Sequence, residues 1–542
     1  MQNNWLSIIP PVIVLLLAFT TRRVILSLLS GIISAALILN NFALYKTLKT
    51  VISKIWATSE LGSLQSFDAF KNNWSLFICL FLLMLGMVIV LVNHSGGAYA
   101  YGNYIKKKLK NQKAVQTSSL TLSLLFFIDD HFSALTVGSV MHSLTDRFNI
   151  PRAKIAFLVD SMAAPLCILA PISSWAAYII MQLKKSGVSS ITQQGTYILA
   201  DPFSVYLKTI PFIFYSIIMI ASVWFLVRRN LSVGLMHKHE AIANETGNLF
   251  AGKTPTNRTT KELNDKNKSK ANMIDFLLPI ITLITSIVVS ILYTGDFFIF
   301  GGTNGFIQAF ANSKTATALF MGGSITLCTT IILFMIKKKL YLKDIYPIIK
   351  ESFSLMGDCI IVLVLAWTFS DLLQNDLLTG QYLASFLIGH LNIIILPLLF
   401  FIITAITSSG MGSAWGSMAV IIPIAIPMLT SFLNLKLPVN PQDILILYPT
   451  LGAILSGAVS GNHTSPISDT TIMSVASTGC YHMDHVRTQH TYSIPVLFFT
   501  GLSFLISGIL ISYKFDIIST ILISLFTGII GNFIYLKVRN KN

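Results

Sequence analysis

The sequence predicts an all-α polytopic membrane protein of about eleven spans plus two re-entrant hairpins, arranged as inverted-topology repeats with broken helices. Three observations predict it. First, 54% of the 542 residues are apolar and only 11% are charged, whereas a soluble domain carries about 25% charged residues. Second, apolar runs of about 20 residues, each long enough to cross the hydrocarbon, recur along nearly the whole chain. Third, carboxylates and prolines interrupt some of those runs. Asp129, Asp130 and Asp160 sit in FFIDDHFSALTVGS and LVDSMAAPLCILAPISSW, and Asp469 in GAVSGNHTSPISDTTIM. A charge at the bilayer centre costs about 2.5–3.5 kcal/mol on insertion scales, so groups kept there are expected to have a use.

Spans are expected at about 5–21, 23–42, 74–93, 152–183, 207–227, 273–293, 315–335, 355–373, 444–479, 490–513 and 516–537. The apolar stretches 115–146 and 391–430 differ, because polar or small residues interrupt their middles. Asp129-Asp130-His131 does so in one and Ser408-Ser409-Gly410 in the other, so both read as re-entrant hairpins with these residues at their tips. Pro171 and Pro466 mark breaks in spans 152–183 and 444–479, since proline removes a helical hydrogen bond.

Loop charge orients the chain. The net charge is +16, but its basic residues sit in short loops between apolar runs, which is the positive-inside pattern and not a nucleic-acid footprint. Arg22 and Arg23, Lys106 to Lys113, Arg147, Arg152, Lys154, the basic residues of 228–272, Lys337 to Lys339 and the tail KVRNKN share one side only if both hairpins are re-entrant. That side is the cytoplasm, with the N-terminus outside and the C-terminus inside. Lys46, Lys49, Lys54, Lys184 and Lys185 fall on the other side. The organisation expected is a first transmembrane half at 1–227 and a polar, flexible cytoplasmic linker at 228–272. A second half at 273–513 and a terminal span with basic tail at 514–542 follow. Pro171-Ile172-Ser173 and Pro466-Ile467-Ser468 fall at matching places in the two halves.

Paired broken helices with polar tips are how secondary transporters hold ions and substrates. The candidate ion- or substrate-binding residues are Asp129, Asp130, Asp160, Ser173, Ser174, Asn462, His463, Thr464, Ser465, Ser468, Asp469 and Thr470, with sodium near Asp129, Asp130 and Asp469. Adjacent carboxylates can bind a cation or share a proton. Freed carbonyls and hydroxyls beside a proline are hard oxygen ligands suited to a small cation. A competing structural reading assigns Asp129 or Asp130 to helix capping and the serines to the kinked backbone. Asp484, His485, Arg487 and His490 read as a solvated loop where the chain reaches the cytoplasm. No phosphate-binding glycine loop, HExxH or dinucleotide fingerprint occurs, and no cysteine spacing suggests a disulfide framework or zinc site. Neither an enzyme nor a cofactor is expected.

At these residues the chain resembles the NhaC family of sodium/proton antiporters, of the ion transporter superfamily. The stretches that carry the resemblance are DDHFSALTVGSVM, LVDSMAAPLCILAPISSWAAYI and GNHTSPISDTTIMSVASTGC with the HMDHVRTQ that follows. The resemblance implies sodium/proton exchange in a bacterial inner membrane, with the ion near the two broken spans. Some relatives exchange organic anions such as malate and lactate, and others are linked to amino acids, so a sodium-coupled transporter or exchanger of a small organic anion or amino acid stands beside it. Many relatives carry Asp where this chain has Asn462, which bears on coupling. The partners expected are the lipid bilayer and small ions, with a homodimer as one assembly open to the chain.

Overall fold

The computed structural model describes residues 5–21, 23–59, 73–97, 100, 109, 111–193, 195–254, 272–311, 313–379, 382, 392–433, 436–466 and 468–540. The expected basic stretch 106–108, Lys110 and residues 255–271 of the expected linker lie outside the described residues.

The fold is nearly all helix. The first part comprises α1 (Ile9–Thr21), α2 (Val24–Leu39), α3 (Leu44–Thr58) and α4 (Trp74–His94). A hairpin follows, α5 (Gln112–Leu125) and α6 (Asp130–Arg147), and then the broken helix α7 (Arg152–Leu169) and α8 (Ser174–Lys185). Next come the short α9 (Pro202–Thr209), α10 (Phe214–Arg229) and α11 (Leu235–Thr246). A two-residue parallel pair, β1 (Val188–Ser189) with β2 (Ile198–Leu199), clips the loop between α8 and α9. The second part comprises α12 (Ile274–Thr294), α13 (Phe306–Ala311), α14 (Thr315–Ile336) and α15 (Leu342–Asp371). It continues with the hairpin α16 (Leu396–Met411) and α17 (Ala414–Phe432) and the broken helix α18 (Leu447–Thr464) and α19 (Asp469–Thr478). It ends with α20 (His482–Ser512) and α21 (Ile517–Arg539).

Hairpin followed by broken helix therefore occurs twice, as read from the prolines. α7 and α8 bend by 47° across Ala170–Ser173, and α18 gives way to α19 across Ser465–Ser468. The contacts between the units are reciprocal. α8, the far piece of the first broken helix, lies on α17, the far arm of the second hairpin. Tyr178 Oη donates to the Trp415 carbonyl at 2.7 Å, and the Trp175 and Trp415 rings sit 5.6 Å apart. α19, the far piece of the second broken helix, lies on α6, the far arm of the first hairpin. Ser477 Oγ donates to the Ala134 carbonyl at 2.9 Å.

Among the described residues, seven helices are long and apolar enough to cross a membrane, or up to nine if each bent pair is one span; the eleven expected are not reached by length and composition, although shorter apolar helices at Trp5–Val14, Ile25–Leu39 and Ile360–Asp371 fall within three of the expected spans. α16 and α17 both pass that test by length and composition. The expected span 207–227 is bent by 46° between Phe212 and Phe214, where Pro211 removes a donor. Finally, Ser408, Ser409 and Gly410 do not form the second hairpin's tip. α16 runs on to Met411, and the chain reverses at Gly412 in a left-handed conformation (φ 67°), with Ser413 capping α17 through Gly416 N. Glycine is what that φ requires.

The described part of the linker region, up to residue 254, carries the helix α11. α11 buries Met236, His239 and Ala243. Glu240 pairs with the buried Lys154 of α7 at 2.9 Å, and Lys253 pairs with Asp484 of α20 at 2.6 Å. Burial holds the His239 imidazole below its ordinary range, so the helix docks with a neutral ring at pH 7. Composition alone read this segment as flexible, because a docked polar helix buries too few apolar residues to show a clear period.

The second hairpin and its broken helix approach backbone to backbone at Gly461. A Cβ there would sit 2.4 Å from Ser408 Cβ and 2.5 Å from the Ala405 carbonyl oxygen. Gly461→Ala is expected to destabilise the protein by about 1–3 kcal/mol through overpacking, read as a lower unfolding midpoint in detergent. An unchanged midpoint would mean that the two helices part there without cost.

Candidate functional site

Two polar centres lie in the apolar core, both on the first broken helix. The first is where the tip of the first hairpin meets the first break. α5 ends at Leu125 and α6 starts at Asp130, so Asp129, Asp130 and His131 occupy the turn and the first turn of α6. All three are buried. Carboxylates at a helix N-terminus are favoured by the exposed amide dipoles. One ligand atom from each of the three lies within 4.8 Å of the others, a spacing that fits a single cation. Ser174 ties the break to this tip: its amide donates to the Ile128 carbonyl at 3.0 Å and its hydroxyl to Asp129 Oδ2 at 2.8 Å. Among the described residues neither carboxylate oxygen of Asp130 makes a hydrogen bond of good geometry, and the Trp175 indole N–H, its near neighbour, makes none either. A buried carboxylate in that condition is expensive unless it holds a proton or a cation.

Ser173 takes the structural role. Its hydroxyl caps α8 by accepting from Ala176 N at 3.1 Å, and donates to the Cys167 carbonyl at 2.7 Å. It thereby satisfies a carbonyl released by the break.

The second centre joins five helices around Asp160, which is fully buried in α7. Asp160 Oδ2 lies 3.2 Å from His485 Nε2 of α20. His463, in the last turn of α18, is buried beside it, and its Nδ1 is 3.1 Å from the Tyr215 hydroxyl of α10. Asn462 Nδ2 donates to Thr470 Oγ1 at 3.3 Å, and Ser468 Oγ lies 3.2 Å from the same atom, so the two sides of the second break are laced together. Ser161 and Gln489 add a bond at 3.1 Å between α7 and α20. Asp160 Oδ1, His463 Nε2 and His485 Nδ1 have no hydrogen-bond partner. Three spare polar atoms on three titratable side chains give this centre room for a proton or a water in more than one place.

The remaining candidates divide. Thr464 turns its hydroxyl back to the Ser460 carbonyl at 3.0 Å, while its own carbonyl lies 2.8 Å from His490 Nε2. Ser465 is buried and its carbonyl accepts from Thr471 Oγ1 at 3.3 Å. Ser408 Oγ donates to the Ala458 carbonyl at 2.7 Å, which joins the second hairpin to the second broken helix. Asp469 differs from its expected setting. It is exposed at the start of α19 and does not enter the apolar core, although it lies within electrostatic reach of His131. His485 also corrects the sequence reading, which placed it in a solvated loop. α20 begins at His482, two turns earlier than its apolar run, and this carries His485 inward to complete exposure loss. The usable signal was spacing: His485, Thr488, Gln489 and Tyr492 recur at helical intervals and all four are buried.

A model of the Na+/H+ antiporter family matches residues 166–509. The chain belongs to the Na+/H+ antiporter family. This is the affiliation indicated by its SPISDTT and DDHFSALT motifs. An uncharacterized protein of Haemophilus influenzae is 30% identical over 512 residues, 93% of this chain and 90% of that protein. The malate-2H(+)/Na(+)-lactate antiporter of Bacillus subtilis is 31% identical over 125 residues, which is 23% of this chain and 24% of that protein. The fold is similar to that of the YdaH transporter of Alcanivorax borkumensis. The TM-score is 0.50 at 14% identity, over 87% of this chain and 90% of the other. The family member described here is a multi-pass membrane protein and a secondary transporter of small ions, not an enzyme.

Asp160 and His485 form a buried pair, so removing one partner strands the other. His485→Ala is expected to cost about 3 kcal/mol of stability. Asp160→Asn combined with His485→Ala is expected to cost less than the sum of the two single changes, because they share one interaction. Unfolding midpoints of the four proteins measure this, and strict additivity would mean that the two side chains do not act together.

Proposed function

We propose that the protein exchanges sodium for protons across the bacterial inner membrane, with the cation held at the tip of the first hairpin. The observation that carries this reading is the Asp129–Asp130–His131 trio, buried, within 4.8 Å across its ligand atoms and with neither Asp130 oxygen in a hydrogen bond of good geometry among the described residues. Asp130 and Asp129 are the cation ligands, and the Ser174 hydroxyl orients Asp129. His131 stands ready to balance charge when the cation leaves. The exposed Asp469 draws the cation toward the trio from the aqueous approach. Asp160, His463 and Thr470 form the supporting polar centre, with Asn462 and Ser468 holding the second break around it.

Competition couples the two flows. A carboxylate that holds a proton cannot hold sodium, and a ligand shifts a conformational balance only by its differential affinity for the two states. The reading includes inverted repeats with both hairpins re-entrant, the N-terminus outside and the C-terminus in the cytoplasm. The reciprocal packing of α8 on α17 and α19 on α6 supports the repeat, and the one-sided basic loops support the orientation.

A second reading, sodium-coupled exchange of a small organic anion, is favoured by the matched segment of the malate-2H(+)/Na(+)-lactate antiporter. Asn462 also favours it, standing where many family members carry a carboxylate. The serine hydroxyls and half-helix N-termini at the two breaks would then take the substrate carboxylate.

Proteoliposomes carrying an interior pH dye separate the readings. Sodium added outside is expected to move protons with no organic anion present, and Asp130→Asn is expected to abolish the signal. Sodium-driven proton movement only when malate, lactate or an amino acid is supplied would favour the second reading. Binding gives an independent measure. Because sodium takes the deprotonated carboxylate, its affinity is expected to fall as pH drops through the titration range of the sodium-free site. Sodium binding in that range should therefore release protons, and isothermal titration in buffers of different ionisation enthalpy counts them. Sodium binding with no proton release at any pH from about 5 to 9 would refute the shared site.

Topology has its own test. Single cysteines at positions 113 and 147, on the two ends of the first hairpin, are expected to react with an impermeant reagent from the same side of the membrane. Reaction from opposite sides would make the hairpin a full crossing.

A further inference from the structure

A cavity of about 450 Å³ lies away from both polar centres, between the start of α11, the first turns of α20's apolar run and the end of α21. Its floor is the short segment before α11, which is fixed at two points. Ser232 N donates to Asn540 Oδ1 at 2.9 Å and Val233 N to the Tyr492 hydroxyl at 3.1 Å. Its lining has an apolar part, Leu235, Ile494 and Pro495, and a polar part, His490, Thr491, Tyr535 and Arg539. No acidic residue lines it. Neither the Arg539 guanidinium nor the Tyr535 hydroxyl has a partner among the described residues.

The cavity opens on an exposed apolar flank of the bundle. Ile494, Phe498, Ile534 and Val538 are all more than half exposed there, on two helices apolar enough to cross a membrane. It also sits at a basic end of the bundle, the side that the proposed topology puts in the cytoplasm: Arg228 and Arg229 close α10, and Lys537 and Arg539 close α21. An unpaired guanidinium and a phenol hydroxyl beside an apolar slot match a phosphodiester with an acyl chain below it. Basic pockets between spans on the cytoplasmic side recognise anionic headgroups in this way.

We propose that this cavity binds an anionic phospholipid, with its phosphate on Arg539 and the Tyr535 hydroxyl and an acyl chain against Leu235, Ile494 and Pro495. Occupancy reaches the transport machinery through His490. The same ring that lines the cavity lies 2.8 Å from the Thr464 carbonyl, the last residue of α18 before the second break. A bound headgroup that restrains His490 restrains the end of that broken helix.

The test uses the full-length purified protein and three probes: phosphatidylglycerol, phosphatidylcholine with the same chains, and inorganic phosphate. Phosphatidylglycerol is expected to be retained in native mass spectrometry and to raise the unfolding temperature, while the other two do neither. Arg539→Gln is expected to weaken phosphatidylglycerol binding about tenfold or more. Leu235→Trp fills the apolar wall without changing a charge, and is expected to weaken it as well. Arg229→Gln, which removes a basic residue outside the cavity, is expected to retain it. Equal retention of the two lipids would overturn the proposal, as would stabilisation by inorganic phosphate alone. Wild-type binding by both Arg539→Gln and Leu235→Trp would do the same. If Arg539→Gln does not fold, the Leu235→Trp protein decides the question.

Discussion

A helix broken inside an apolar core releases carbonyls and amides with no water to receive them, and the rest of this architecture follows from how they are satisfied. At the first break, Ser173 takes the Cys167 carbonyl and the Ser174 amide reaches the Ile128 carbonyl. At the second, the Thr464 carbonyl is met by His490 and the Pro466 carbonyl by His482 at 2.6 Å. Ser173 closes its carbonyl within the same broken helix, while the Ser174 amide and the Thr464 and Pro466 carbonyls take partners from another element, so each break leans on its neighbours. The first hairpin must dip to the level of its break, and that brings the Asp129–His131 turn against Ser174. Placement of the acidic trio is a by-product of closing the backbone.

The second unit meets the same requirement with less charge. Its hairpin joins its broken helix through Ser408 and the close approach at Gly461, and no carboxylate enters. Two copies of one architecture thus differ in chemistry. One tip carries two carboxylates and an imidazole, and the other a glycine turn and a capping serine. Cross-packing of α8 on α17 and α19 on α6 makes the far piece of each broken helix a neighbour of the other unit's hairpin. The acidic tip is accordingly bordered by both units: Ser174 from its own break, and Ser477 of α19 on the helix that follows it.

Much of this was legible in the residues. Proline breaks at Pro171 and Pro466, the hairpin interrupted at Asp129-Asp130-His131 and the repeated order of elements all follow from rules about what an apolar helix tolerates. The misreadings share a physical cause. Hydropathy reports mean burial over a window and is blind to where an individual helix starts. α20 begins ahead of its apolar run, so His485 was assigned to water although it is one of the most buried polar residues in the chain. Asp469 failed in the opposite sense, because apolar neighbours in sequence do not fix which way a first-turn side chain faces. The second hairpin turns at Gly412 and not at Gly410, since composition shows which residues permit a left-handed turn but not which one makes it.

The two polar centres are connected by covalent geometry. Asp160 lies in α7 before the first break and Ser174 starts α8 after it, so one bend of 47° sets the relation between them. Asp160 is held to α20 through His485 and neighbours His463 of the second broken helix, while Ser174 is held to the first hairpin through Asp129. Because Ser174 donates to Asp129, a change in the charge of the trio would act on that bond and, through it, on the bend whose other side carries Asp160. Two discrete arrangements of such a bend would let a ligand at the hairpin tip bias the second centre without touching it, by the difference in its affinity for each.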